Sequence, residues 1–173
     1  MIRNQNHSMF IDHLLGCLLP LLVAMYIVFF TYATNAEILS LSSLWGILGV
    51  LSAIAVLVYI LWSLLLKKKP YQSALAAFLF MLLFLTYGSV YKLLIKADFF
   101  PVRHFNLMPL VIVIGMYLGW FVSKMSWGLS KKFWMVLVSM ASLLVIFNLA
   151  KIIPIEIQKH SQESQSPIYQ NTS

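Results

Sequence analysis

The chain has 173 residues, 61% of them hydrophobic and 10% charged. A soluble domain carries about a quarter charged residues, and a small soluble fold leaves too much surface exposed to hide so many apolar side chains. This composition argues against a water-soluble fold and points to a bilayer, where a helix can be apolar all round. The formal net charge of +7 comes from 12 Lys and Arg against 5 Asp and Glu. These residues lie in short clusters between apolar runs, with no basic stripe and no base-reading motif, so no nucleic-acid partner is expected.

Residues 1–13 form a polar N-terminal segment with Arg3, expected on the cytoplasmic side. The first apolar run, Leu14 to Tyr32, is longer than the apolar part of a signal peptide, and Thr34-Asn35-Ala36 is a poor cleavage site, so it is expected to be a retained helix. It holds the chain's one cysteine, Cys17, which rules out a disulfide within the chain and fits an apolar packing role. A polar connection, Asn35 to Ser43, carries one charge, Glu37. The second run, Leu44 to Leu66, ends abruptly at Lys67-Lys68-Lys69-Pro70, where the proline suits the start of the next helix. The third runs from Ser73 to Leu94, and the fourth from Phe105 to Ser123, with Gly115 and Gly119 at the spacing of close helix contacts. Such a pair can pack within the chain or between chains. After Lys124 to Lys132 the fifth run spans Phe133 to Ile153, and from Pro154 to Ser173 the composition is that of a polar tail or linker.

Each run is close to the ~20 residues that cross about 30 Å of hydrocarbon. None alternates as a barrel strand would. The expected fold is an all-α membrane protein, a bundle of five transmembrane helices over residues 14–153 with a short polar tail, 154–173, on the far side. With the N-terminus inside, the cytoplasmic segments hold Arg3, Lys67, Lys68, Lys69, Lys124, Lys131 and Lys132, against Lys92, Lys96, Arg103, Lys151 and Lys159 outside. The excess favours the N-terminus inside and the C-terminus outside.

Asn148 is the clearest polar residue within a run and is expected to bond a neighbouring helix. Arg103 and His104, with Lys92, Lys96 and Asp98, form a dense polar cluster expected at the outer surface, suited to interfacial anchoring by snorkelling side chains or to a lipid phosphate or a partner's acidic loop. Trp45, Trp62, Trp120, Trp127 and Trp134 fall mostly near run ends, as an aromatic belt requires. His7, His13, His104 and His160 have no metal-ligand spacing, and no nucleophile has a base nearby, so no catalytic residue, cofactor or metal is expected. Transport is disfavoured, because no charged residue lies mid-run and no repeat is visible.

The run Phe84-Leu85-Thr86-Tyr87-Gly88-Ser89-Val90-Tyr91-Lys92-Leu93-Leu94, followed by Arg103-His104 and a new apolar run, resembles the N-terminal membrane domain of large bacterial sulfatase-like membrane proteins. These belong to the alkaline phosphatase superfamily and are similar in plan to lipoteichoic acid synthases. Leu19-Pro20 opening the first helix, the Asn35 and Glu37 loop and the basic end of the second helix extend the likeness over about residues 14 to 155. Ser89 stands where that family often has histidine. The resemblance implies a bacterial cytoplasmic-membrane anchor or platform without catalytic residues, working with an extracytoplasmic catalytic domain or a partner membrane protein. On it Tyr87, Tyr91, Arg103 and His104 become candidate lipid or partner contacts near the outer interface. The alternatives are a subunit that stabilises an unrelated partner protein and a small transporter.

Overall fold

The computed structural model of the chain describes residues 3–36, 38–67, 69–97 and 104–165, without the side chains of 3–9, 104, 106, 160 and 162–165. The described residues form five helices and no strand: α1 (Arg3–Thr34), α2 (Leu41–Leu65), α3 (Pro70–Lys96), α4 (His104–Ser123) and α5 (Trp127–Gln165). Ser40 caps α2 by accepting from the Ser43 N–H at 3.4 Å. Lys67, in the left-handed region at φ 54°, turns the chain out of α2, and Pro70 opens α3.

Four of these helices are long and apolar enough to cross a membrane: Phe10–Thr34, Leu41–Leu65, Pro70–Lys96 and Trp127–Lys159. The chain is thus a helical integral membrane protein. The expected fifth span falls on α4, whose described apolar part, Leu107–Ser123, is shorter. Three boundaries differ from expectation. Helix α1 starts at Arg3, so Pro20 lies well inside it rather than at its opening. Asp12 and His13, expected before the first span, are inside the bundle because both are bonded there. Pro154 does not end α5, which continues helically to Gln165. In lipid a proline's freed carbonyl is tolerated where neighbouring groups or local adjustment re-satisfy it.

Helices α1 and α3 are central: α1 packs on α2, α3 and α5, and α3 on α1, α2, α4 and α5. The small residues Ser73, Ala74, Ala76 and Ala77 bury the start of α3 and let its neighbours approach. Helix α2 lies at the edge; only 17% of its span is buried, so Trp45, Val50, Leu57 and Leu64 face the lipid. Helix α4 runs antiparallel to α3. Gly115 lies against the Phe80 ring and Gln72 Nε2 donates to Met125 O, just past the end of α4, at 2.6 Å. The Gly115 and Gly119 pair therefore packs inside the chain, with Gly119 against the tip of the Trp62 indole.

The bundle is tied at both ends. At the lysine-rich end Tyr71, 1% exposed, donates to Asp12 Oδ1 at 2.7 Å and sits between Trp127 and Trp134, with Lys131 over its ring at 5.7 Å. Tyr59 donates its one hydroxyl proton to the His13 carbonyl at 3.0 Å, so the 3.0 Å contact from His13 Nδ1 is a donation to the Tyr59 oxygen. His13 Nε2, Gln72 Oε1 and Trp134 Nε1 are buried at this end without a partner among the described residues. Tyr71→Phe is expected to destabilise the bundle by about 1.5–3 kcal/mol, the range for a hydrogen bond to a charged group. Thermal unfolding in detergent measures this; an unchanged transition would show that the Asp12 bond contributes nothing.

At the opposite end Tyr32, also 1% exposed, donates to Glu156 Oε1. Asp12 and Tyr32 are separated along α1 by about 30 Å at 1.5 Å per residue. That separation equals the hydrocarbon thickness of a bilayer. The two ties thus sit where polar groups can meet water, and most side chains of α1 between them are apolar.

Candidate functional site

The sequence-predicted residues are only partly brought together. Tyr87 and Tyr91 stack one turn apart on α3, ring centroids 6.3 Å apart, both half-buried. His104 is the first residue of α4, but its side chain lies outside the described residues, as does the whole of Arg103. Asn148 is buried and donates to Leu144 O of its own helix at 2.8 Å. Among the described residues it forms no hydrogen bond to a neighbouring helix, contrary to expectation, because a helical side-chain amide reaches the carbonyl four residues back.

The polar groups that do converge are elsewhere. Where α1 ends, an open cleft of about 480 Å³ lies between Ala33, Thr34, Asn35 and Ala36 on one side and Ile155, Gln158 and Lys159 of α5 on the other. Its size is that of small-molecule sites, roughly 300–1,000 Å³. Lys159, which lines it, joins the tie just described. Lys159 Nζ donates to Leu39 O at 3.2 Å and Tyr32 Oη at 3.5 Å, and pairs with Glu156 Oε1 at 3.5 Å. An ammonium has three hydrogens, so those of Lys159 are matched. The carboxylate carries both the Tyr32 hydroxyl and Lys159, which fixes α5 to α1 and to the connection leading into α2.

The rim has capacity left over. Asn35 Nδ2 is held by Thr31 O at 2.9 Å and Thr34 Oγ1 at 3.1 Å. Its carbonyl oxygen and the whole Gln158 amide have no partner among the described residues. Asn35 continues the α1 turn, its own N–H bonding both Thr31 O and Tyr32 O at 3.1 Å. Sequence reading had Asn35 in a loop and Lys159 in a tail. The signal for the pairing was the Glu156 and Lys159 spacing of three, which puts both on one helix face only if α5 passes Pro154.

The fold and cleft define a polytopic helical membrane protein with a polar recess at one end of its bundle. No protein-family model, curated protein or solved structure matches the chain.

Proposed function

We propose that the chain is a membrane anchor or platform for an extracytoplasmic enzyme of the sulfatase-like kind and does no chemistry itself. The observation that carries this is the clamp on α5. This helix is 39 residues long, about 58 Å at 1.5 Å per residue, nearly twice the ~30 Å of a hydrocarbon core. Tyr32, Glu156 and Lys159 tie it to α1 and to Leu39 where it leaves the bundle, which supports a role in orienting what it carries or meets beyond that point. The sequence resemblance supplies the kind of partner. The bilayer in this proposal is a bacterial cytoplasmic membrane, with the lysine-rich end inside and the clamped end outside.

In this reading α4 is a fifth span. Helix α5 begins beside the start of α3, with Tyr71 and Trp127 rings 4.9 Å apart. Helix α4 runs back along α3, and its 20 residues supply about 30 Å of the roughly 40 Å that the 27 residues of α3 extend, which supports a crossing.

A photo-crosslinking residue at Ser161, exposed on α5 beyond the clamp, tests the platform. Crosslinks to a metal-dependent hydrolase domain, in the same or another polypeptide, are expected. Crosslinks confined to helical membrane subunits would sink the proposal in favour of a subunit that stabilises a different partner.

A further inference from the structure

We propose that the cleft between the end of α1 and α5 binds an uncharged, hydroxyl-rich group such as a sugar. A lysine in a cleft at membrane level would ordinarily point to a phosphate. Here three observations point away from an anion. The three donors of Lys159 already meet Leu39 O, Tyr32 Oη and Glu156 Oε1. The Glu156 carboxylate lies 3.5 Å from the Lys159 ammonium, which lines the recess. The cleft also sits at the carboxyl end of α1, whose last residue is Thr34, and a helix carries about half a negative charge there. An added anion would meet two negative sources and one cation that is already matched.

What the cleft offers instead is uncharged hydrogen bonding. The Gln158 amide supplies a donor pair and an acceptor, and Asn35 Oδ1 a further acceptor. Ala33, Ala36 and Ile155 provide a low apolar wall. Hydroxyl groups both donate and accept, so they satisfy acceptors and donors placed together, and a ring's apolar face can lie on the alanines. The cleft is level with the Tyr32 and Glu156 tie, at headgroup depth by the 30 Å reckoning above. The same chemistry can reach it as a lipid headgroup or as a free sugar. The inference names what the platform would hold and rests on that reading only for the later fate of the ligand. Binding itself requires only the bundle.

The test uses the full chain in nanodiscs of phosphatidylcholine doped equally with monogalactosyl-diacylglycerol and phosphatidylglycerol, with the retained lipids quantified by mass spectrometry after extraction. Enrichment of the galactolipid over phosphatidylglycerol is expected. Gln158→Leu should reduce it about threefold to tenfold, the loss equivalent to one or two hydrogen bonds, without moving the thermal transition. Competition by free galactose would assign recognition to the sugar alone; failure to compete would assign it to the lipid-linked form. Enrichment of phosphatidylglycerol, equal retention of all three lipids, or enrichment unchanged by Gln158→Leu would each overturn the site. None of these depends on a catalytic partner, so a negative result here leaves the crosslinking test of the platform independent.

Discussion

Gly119→Leu is expected to collapse the packing of α4 on the bundle. Any side chain there would enter the space of the Trp62 indole, which is 8% exposed and belongs to the core cluster at the lysine-rich end. Overpacking of this kind typically costs about 1–3 kcal/mol, and Gly119→Leu inserts four heavy atoms, so the upper end is expected. The control is Gly88→Leu on α3, where nothing lies within 4 Å of an added Cβ; in lipid that change should be close to neutral. Rescue distinguishes a local clash from general damage. Gly119→Leu combined with Trp62→Ala should recover part of the lost thermal stability, whereas additive losses would mean that the two residues do not meet.

Glu156→Ala is the second large effect expected. It leaves the buried Tyr32 hydroxyl without its acceptor and Lys159 without its counter-charge. A stranded buried donor costs about 1–3 kcal/mol. Because Lys159 is about a third exposed, 32%, water takes up much of its charge, and the larger share of the loss belongs to Tyr32. The consequence is local. Hydrogen exchange should rise at the end of α5 and in the connection from Asn35 to Ser40, and remain unchanged around Tyr71 at the far end. Glu156→Gln keeps an acceptor for Tyr32 and should lose less than Glu156→Ala. Equal losses would mean that the charge, and not the hydroxyl bond, holds the clamp.

The apolar runs made the helices and the bilayer legible, because in lipid every backbone group must be bonded within its own segment. The end of α2 before Lys67 and the start of α3 at Pro70 were legible for local reasons, while the Gly115 and Gly119 spacing suggested a close helix contact without saying whether its partner lay within the chain. The ends of helices were harder. Asp12, His13, Glu156 and Lys159 look like flanking polar residues in sequence. Each is drawn into the bundle by a partner roughly 46 to 124 positions away, Tyr59 for His13 and Tyr32 for Glu156 among them. Periodicity carries no information about such pairs. Asn148 is the opposite case: a lone polar residue in an apolar run suggests a partner helix, yet its Nδ2 donates to a carbonyl of its own helix. The cleft was invisible because it depends on α5 continuing past Pro154, where composition alone suggested a change of structure.

In the proposed arrangement, five crossings place the lysine-rich connections on one side of the membrane and the clamped end of α5 on the other. Single cysteines at Lys69, Lys131 and Gln158 in a Cys17→Ala background, labelled with a membrane-impermeant maleimide in sealed right-side-out vesicles, test it directly. Labelling of the Gln158 position alone until the vesicles are broken is the expected result. Labelling of Gln158 and Lys69 positions from the same side would contradict the account, because α5 would then end with the basic loops and α4 could not be a span.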